Sequence, residues 1–490
     1  MRTWLFQLSS DPGISLQRRL REMMVSAILE GRLPAGEPVP SCRSLARQLG
    51  VARNTVVLAY QQLVDQGYLV ARERSGFFVN RAILDGRVQT TPRPPALPRT
   101  SLDWQRRLRL HPSRQRNIVK PADWQRFPYP FVYGQLDPAL FPINDWRECA
   151  RQALSVDAIR DWSADHIDAD DPLLVEQIRS RLLPRRGVWA DPDEILVTLG
   201  TQQALYLLAE LLVDRDSVVG LEDPGYVDAR NIFALRTPRL RALPVDGEGV
   251  RLDQPLADCQ LLYLTPSHQF PTTVTLSRQR REALLAQAER HDQVIIEDDY
   301  ESEANYLGAP TPALKSLDRA GRVIYLGSLS KTLAPGLRLG YLVGPAPLIR
   351  EARALRRLML RHPPSNNQRT VALFLALGHH DSLVQRLAQI YRRRWQLLGE
   401  ALARHLPDSS RSPGFGGTAF WVEGPRGLPV GELCRLAAEQ GILLERGDIT
   451  FAAESPPQRF FRLGFSAIAT ERIEPGVARL AALIRQLCPG

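Results

Sequence analysis

Residues 325–341 read YLGSLSKTLAPGLRLGY, and this stretch decides the fold of most of the chain. The apolar run from Val323 to Leu326 predicts a buried strand, because it is short and continuous. A small polar loop containing Lys331 follows, and Arg338 comes seven residues later. A second apolar run, 339–343, predicts another strand. The pattern therefore indicates a polar loop between two buried strands, with one lysine and one arginine in it.

The lysine is informative because the chain hardly uses this residue. Among 63 lysines and arginines, only three are lysines: Lys120, Lys315 and Lys331. Arginine cannot replace a deprotonated lysine amine, which adds to a carbonyl group and forms a Schiff base. Lys331 is therefore a candidate for imine chemistry. Neighbouring hydroxyl and guanidinium groups are candidates to hold a phosphate, namely Ser328, Ser330 and Arg338. The alternative is a surface lysine that happens to follow a strand.

A second predicted strand ends in carboxylates and a tyrosine. Residues 293–300 read QVIIEDDY. Ligands of open α/β sheets bind beyond the carboxyl ends of the strands, so this run and the lysine loop deliver polar groups to one edge. Asp298 can pair with a protonated pyridine nitrogen, and Tyr300 can hydrogen-bond a phenolic oxygen. These are protein partners of the kind that tune pyridoxal phosphate.

Two more runs add candidate cofactor ligands. Residues 195–205, ILVTLGTQQAL, predict a strand, a glycine turn and the start of a helix. The free N–H groups of such a helix start bind phosphate, which singles out Gly200, Thr201 and Gln202. Tyr226 follows another predicted strand and can stack on a cofactor ring. The alternative for Tyr226 is an aromatic side chain packed in a turn.

These motifs together resemble the fold-type I aminotransferases, from about Phe131 to the C-terminus. The resemblance implies a mostly parallel sheet covered by helices, with a smaller α+β subdomain after about residue 385, and the alternation of strands and helices agrees with it. It also implies that Arg462 grips a substrate carboxylate; the alternative is an arginine at a strand edge. Phe270 stands where these enzymes usually carry asparagine, so any transaminase activity is expected to be weak or vestigial.

Composition excludes several other classes of protein. The five cysteines are scattered without a CxxC pair, and the eight histidines lack ligand spacing, so we expect neither a disulfide framework nor a metal site. The sequence shows no signal peptide and no apolar run near the roughly 20 residues of a membrane span. A chain of 490 residues is expected to form two or three domains.

The positive charge is concentrated in the first quarter of the chain. Residues 1–80 carry ten arginines against six acidic residues, and residues 81–126 carry eleven basic residues against three acidic ones. The net charge of the whole chain is +10, so the remainder is close to neutral. This asymmetry predicts that the N-terminal part faces nucleic acid. The alternative is a solvated, arginine-rich surface.

Residues 1–80 show the pattern of a winged helix-turn-helix. Apolar spacing predicts a helix over 15–29, a second one after Ser41 that ends at Gly50, and a third that runs to Val64. Residues 67–72 and 76–80 predict a hairpin, or wing. The second helix of a helix-turn-helix presents its N-terminal side chains to base edges. The alternative is a small helical dimerisation domain.

This segment resembles the DNA-binding domain of the GntR family of bacterial regulators over about residues 16–79. The resemblance rests on the sequences around Gly31, Ser41, Val51 and the wing. It implies that DNA is contacted by Arg43, Arg53, Asn54, Thr55 and Gly76. The chain is thus divided into a DNA-binding head, 1–80, a basic proline- and arginine-rich linker, 81–126, and an aminotransferase class I/II-like body, 127–490.

A GntR-like head joined to an aminotransferase-like body resembles the MocR subfamily. The resemblance implies a cytoplasmic, bacterial transcriptional regulator that binds double-stranded DNA at two half-sites as a head-to-tail homodimer. It further implies that pyridoxal 5'-phosphate is bound at Lys331 and that an amine or amino acid is sensed through aldimine formation. Two alternatives stay open: an active aminotransferase with an accessory head, and a scaffold that has lost its cofactor.

Overall fold

The protein is described by a computed structural model over residues 8, 13–83, 103–253, 256–307, 311–411 and 416–488. The chain forms two compact units, Met1–Leu108 and Arg109–Gly490. The division between them falls inside the predicted linker, 81–126, part of which lies outside the described residues. The boundaries at residues 80 and 126 therefore remain predictions.

The first unit contains the predicted helix-turn-helix and wing. Its elements are α1 (Leu16–Leu29), α2 (Cys42–Leu49), α3 (Arg53–Asp65), β1 (Leu69–Arg72), β2 (Gly76–Val79) and α4 (Trp104–Arg107). Ser41 caps α2, because its hydroxyl accepts a hydrogen bond from the Ser44 N–H at 3.2 Å. Gly50 ends α2 in the left-handed conformation, with φ +65°. Strands β1 and β2 pair antiparallel, as the wing requires.

The helices of this unit pack around one small apolar core. Its fully buried members include Leu20, Met24, Leu45, Val56 and Leu63. They come from α1, α2 and α3 at helical spacing, so each helix buries one face and leaves the other to solvent. This packing holds the start of α3 at the surface.

The second unit is built on an eight-stranded sheet. Its strands are β4 (Ile195–Thr198), β5 (Val219–Asp223), β6 (Leu240–Asp246), β7 (Gly249–Val250), β8 (Leu261–Leu264), β9 (Val294–Asp299), β10 (Val323–Ser328) and β11 (Gly340–Val343). Their order is β4-β11-β10-β9-β8-β5-β6-β7. Strands β10, β9, β8, β5 and β6 are mutually parallel, whereas β11 and β7 run antiparallel to their neighbours. The predicted mostly parallel sheet is confirmed, although β6 and β7 were not predicted.

Helices cover both faces of this sheet, which explains the continuous apolar runs of its central strands. The helices of this unit are α5 (Ile143–Ala153), α6 (Val156–Trp162), α7 (Pro172–Gln177), α8 (Thr201–Leu212), α9 (Val227–Ala234), α10 (Arg278–Arg290), α11 (Ala346–Leu360), α12 (Ser365–Ala376), α13 (His379–His405), α14 (Val430–Glu439) and α15 (Ile473–Leu487). Every residue of β10 is buried. Because β5, β8, β9 and β10 are parallel, their carboxyl ends meet at one edge.

The smaller C-terminal part has its own antiparallel sheet in the order β12-β13-β16-β15. The remaining strands are β3 (Tyr129–Pro130), β12 (Ser410–Arg411), β13 (Ala419–Glu423), β14 (Ile442–Leu443), β15 (Glu445–Arg446) and β16 (Phe460–Gly464). Strand β3 pairs with β14, so the segment before the large sheet joins the C-terminal part. Within the described ranges, every helix is too short or too polar to traverse a lipid bilayer.

Candidate functional site

A cavity of about 600 Å³ lies at the carboxyl edge of the large sheet. Its lining contains all ten predicted cofactor ligands: Gly200, Thr201, Gln202, Tyr226, Asp298, Tyr300, Ser328, Ser330, Lys331 and Arg338. These residues lie at the ends of four strands, just after those ends, or at the start of a helix. The parallel arrangement of the sheet brings them together. The lining also includes Tyr133, Tyr263, Phe270 and Pro335.

Lys331 carries an amine whose pKa is lowered to about 8. Burial is the largest cause, and the positive charge of Lys120 is the next. Its Nζ lies 4.5 Å from the centre of the Tyr133 ring. A larger fraction of this amine is neutral at physiological pH than for an exposed lysine, and the neutral amine is the nucleophile.

Asp298 is a buried carboxylate with one free oxygen. The residue is 3% exposed, and its Oδ2 accepts a hydrogen bond from the Tyr263 hydroxyl at 2.9 Å. Its Oδ1 accepts no hydrogen bond from the described part of the chain. Burial raises the pKa of this carboxyl to about 7. A cationic N–H donor in the cavity would complete its hydrogen bonding and stabilise the ionised form.

The phosphate candidates lie around the start of α8. Gly200 precedes this helix with φ +78° and provides no side-chain cap, so the first N–H groups of α8 face the cavity edge. A Cβ added to Gly200 would lie 3.0 Å from Nη2 of Arg338, so glycine makes room for the guanidinium. Arg338 donates to the Leu199 carbonyl at 3.1 Å. Helix start, guanidinium and the nearby serine hydroxyls form an anion-binding arrangement.

Tyr300 and Tyr226, the two tyrosines predicted to contact the cofactor, already have hydrogen-bond partners in the protein. The Tyr300 hydroxyl donates to the His268 carbonyl at 2.7 Å, and the Tyr226 hydroxyl donates to Asp228 at 3.1 Å. The Tyr226 ring packs edge-on against Phe270 at 5.3 Å between centroids. Both residues line the cavity, and their predicted roles toward the cofactor stay predictions.

Arg462 is buried beside this cavity with unused donors. It is 1% exposed, and none of its three guanidinium nitrogens donates a hydrogen bond to any residue that the structure describes. The guanidinium carbon lies 3.6 Å from the centre of the Tyr133 ring and 4.5 Å from that of Phe270. Glu445 is the nearby counter-charge, with its Oε2 4.0 Å from Nη1. A buried guanidinium in this state is ready to bind an anion in a bidentate manner.

Phe270 has a role that the sequence comparison with enzymes did not suggest. An asparagine at this position would offer a hydrogen-bond donor to the cavity. The phenylalanine instead gives an aromatic face to Arg462 and packs against Tyr133, Tyr226 and Tyr300. Where asparagine would make a polar contact, Phe270 therefore provides packing that holds the guanidinium of Arg462 in place.

Three residues of the site escaped the reasoning from sequence: Lys120, Tyr133 and Tyr263. Lys120 lies 3.2 Å from Glu445 and also donates to the Tyr133 carbonyl. Its rarity as one of three lysines was the one signal that could have marked it. Tyr133 and Tyr263 sit in apolar runs, where a tyrosine is indistinguishable from a core residue.

The predicted DNA-contacting residues lie together in the first unit. Arg43, Arg53 and Asn54 are exposed, Thr55 is half-buried, and Gly76 is exposed at the tip of the wing with φ +95°. Arg53 begins α3, so its side chain stands at the helix start that enters the major groove in this class of domain. Their contacts with DNA stay a prediction.

Comparison with known proteins agrees with both units. Residues 16–79 match the family described as bacterial regulatory proteins, gntR family, and residues 143–480 match aminotransferase class I and II. The chain is 45% identical to the HTH-type transcriptional regulator TauR of Rhodobacter capsulatus, over 96% of this chain and 97% of that protein. It is 31% identical to the probable rhizopine catabolism regulatory protein MocR of Rhizobium meliloti, over 96% and 94%.

Solved structures match the second unit. The α-aminoadipate aminotransferase LysN of Thermus thermophilus, complexed with N-(5'-phosphopyridoxyl)-L-leucine, has a TM-score of 0.70 and 28% identity, covering 79% of this chain and 100% of that one. An archaeal alanine:glyoxylate aminotransferase has a TM-score of 0.69 and 28% identity, covering 72% and 90%. Pyridoxal phosphate is the typical cofactor of this fold.

The residues in the cavity fit that cofactor. The free Oδ1 of Asp298 suits a pyridinium nitrogen, the start of α8 with Arg338 suits a phosphate, and Lys331 suits an aldehyde. Among the described residues, no cluster of three His, Cys, Asp or Glu side chains is placed to bind a metal. With a GntR-type winged helix-turn-helix followed by an aminotransferase class I and II domain, the chain belongs to the MocR-type transcriptional regulators of the GntR family.

Proposed function

We propose that this regulator binds pyridoxal phosphate at Lys331 and uses it to sense an amine or amino acid. The cofactor supplies an aldehyde that condenses reversibly with primary amines. Lys331 would hold that aldehyde, Asp298 would pair with the ring nitrogen, and the start of α8 would bind the phosphate. An effector amine would compete with Lys331 for the same carbon.

The buried Arg462 is the observation that carries this proposal. Its guanidinium lies beside the cavity, and its three nitrogens donate no hydrogen bond to any described residue. Its one ion pair among those residues is with Glu445, at the limit of ion-pair distance. Leaving a buried charge without hydrogen bonds costs several kcal/mol unless a ligand completes the site. A carboxylate on the effector would supply the missing acceptors and orient the amine toward Lys331.

Effector binding would act on DNA through the dimer. We propose a head-to-tail homodimer that presents two heads to two half-sites, so that DNA affinity depends on how the two heads are held. The effector can change that affinity only by as much as it binds one arrangement of the body more tightly than the other. Residues that contact DNA would be Arg43, Arg53, Asn54, Thr55 and Gly76.

Amino-group transfer is the competing function. The intact set of cofactor ligands favours it, as does the likeness to solved aminotransferases. Phe270 argues against it, because the cavity lacks the usual asparagine donor. A regulator gains from a bound state that persists, whereas an enzyme gains from one that proceeds to product.

Arg462→Ala tests the proposal. The variant should keep its bound cofactor and yellow colour yet lose the response of DNA binding to a carboxylate-bearing effector. Arg459→Ala is a matched control. Arg459 comes directly before the strand that carries Arg462, but it pairs with Glu423 at 2.6 Å. A normal response in Arg462→Ala would show that the effector lacks a carboxylate or that another residue binds it. Fast formation of pyridoxamine phosphate without any change in DNA binding would favour the enzyme.

A further inference from the structure

A second cavity shares Lys331 with the cofactor cavity. It is a part-open space of about 470 Å³, with the solvent at its mouth included, and Lys331 is the one residue that lines both cavities among the described residues. Its polar lining includes Glu301, Glu303, Thr332, Tyr391 and Thr418. A molecule attached at the position of Lys331 can therefore extend into either space.

Glu301 gives this cavity an unsatisfied negative charge. The residue is 4% exposed, and its Oε1 accepts a hydrogen bond from the Thr418 hydroxyl. Its Oε2 has no donor, and no salt bridge reaches Glu301 from any described residue. A Cβ on Gly417 would lie 3.3 Å from this oxygen, so a glycine with φ +78° borders the carboxylate closely. A buried carboxylate with a free oxygen is unfavourable unless a donor or cation binds it.

Tyr391 supplies a second unsatisfied group in the same cavity. It is 6% exposed, and its hydroxyl has no hydrogen-bond partner within the described ranges of the chain. Glu303 adds a second carboxylate, whose Oε2 accepts from Ser302 at 2.7 Å and from Thr332 at 3.3 Å. Apolar side chains of α13 complete the lining: Val384, Leu387 and Ala388.

The charges of the lining favour a cation. Glu301 and Glu303 are negative, and Lys331 is the one positive side chain among the described lining residues. Two further cations lie just outside the lining: Arg462, whose charge acts on Glu301, and Lys120, whose Nζ is close to Gly134. When the amine of Lys331 is neutral or bound to the cofactor, the described lining itself contains two carboxylates and no cation. A protonated amine has three N–H donors, which suit Glu301 Oε2 and the Tyr391 oxygen, and a methylene chain suits the apolar wall.

We propose that this acidic cavity binds the second ammonium group of the effector, which is therefore a diamine or a diamino acid. The inference rests on the proposed function, because the first amine of the effector must compete with Lys331. In a diamino acid, Arg462 would bind the carboxylate, the first amine would face the Lys331 position, and the distal ammonium would bind Glu301.

Matched ligand pairs test the proposal with the full-length, cofactor-loaded protein. The pairs are L-lysine with L-norleucine, L-ornithine with L-norvaline, and 1,5-diaminopentane with pentylamine. The midpoint of the absorbance change is measured for each ligand. In at least one pair the diamine should bind about tenfold or more tightly than its partner, since one buried, charge-assisted contact is gained. Glu301→Gln should abolish that preference, while the exposed Glu289→Gln should retain it.

Tyr391→Phe provides a second variant. It removes a hydroxyl that has no partner among the described residues, so it should leave folding intact. The substitution should weaken binding of the diamines and leave binding of the monoamines unchanged. Equal midpoints within every pair would overturn the acidic-site assignment and leave the proposed function standing. A preference for the diamine that survives Glu301→Gln would also overturn it. So would a variant that binds both ligands of a pair more weakly to the same extent, since the cavity would then serve the released Lys331. If no amine changes the absorbance, the proposed function itself fails, and this inference with it.

Discussion

The two units of this protein hold their charged binding residues in opposite ways. In the head, Arg43 and Arg53 are exposed on a surface that packing has already stabilised. In the body, Asp298 and Arg462 are buried and each has polar atoms without partners. A surface cation can bind DNA by releasing counterions and otherwise stays solvated. A buried charge without partners needs its ligand. Substitutions in the head should therefore alter DNA affinity in small steps, whereas those in the body should cause larger losses of ligand binding.

Replacing Lys331 should have the largest effect in the body. Lys331→Ala removes the amine that is expected to hold the cofactor aldehyde, so covalent retention should fall to background. The measurement is cofactor that remains attached after borohydride reduction and denaturing chromatography. Lys315→Ala is the matched control, because that lysine donates to the Val323 carbonyl away from the cavity. Attachment that persists in Lys331→Ala would show that a different residue is the anchor.

Replacing Asp298 should weaken the cofactor without abolishing attachment. Asp298→Ala removes the proposed counter-charge of the cofactor ring nitrogen, and loss of such a buried partner lowers affinity on the order of a hundredfold or more. Equilibrium dialysis of the cofactor measures the change. Asp298→Asn keeps the shape and should weaken binding nearly as much, since it lacks the charge. Unchanged affinity in both variants would remove the pyridinium role from Asp298.

A change of pH should affect cofactor capture by the body and leave DNA binding by the head nearly unchanged. The amine of Lys331 has a pKa near 8, so below that value its neutral fraction falls about tenfold for each pH unit. Capture of cofactor by the cofactor-free protein should therefore slow as the pH falls from 8 to 6. Arginine stays protonated throughout this range, so DNA binding by the same protein should change little. A capture rate that is independent of pH would contradict the perturbed amine.

Replacing Arg53 should give a smaller and graded effect. If its side chain makes a bidentate base contact, Arg53→Ala should cost about 1–3 kcal/mol of specific DNA affinity and relax the sequence preference. Gel-shift titrations with the specific site and with a scrambled site measure both. Arg215→Ala, an exposed arginine of the body, is the control. Equal losses on both DNAs would assign Arg53 to a phosphate and not to a base.

The sequence predicted those parts of the fold that depend on local pattern. Ser41 and Gly50 bound α2 because capping and left-handed turns are local properties. Lys331 and Asp298 were found because they follow apolar runs that only buried strands explain. Strand β6 was missed, since its exposed and half-buried residues do not form an apolar run.

The rest of the site depends on contacts between distant parts of the chain. Lys120 meets Glu445, and Arg462 is covered by Tyr133 and Phe270, although no local pattern links these positions. The free oxygens of Asp298 and Glu301 are likewise visible only once the neighbours are placed. Sequence thus predicted ten of the residues that line the cavity, whereas Tyr133, Tyr263 and the polar atoms that lack partners were found only in the structure.

The central claim is that one amine-binding event in the body changes DNA affinity in the head. It is tested by titrating the full-length, cofactor-loaded protein with an amine while recording cofactor absorbance and the binding of labelled operator DNA in the same sample. The account predicts that both signals change with the same midpoint, and that little pyridoxamine phosphate accumulates. An absorbance change that saturates while DNA affinity stays constant would contradict it.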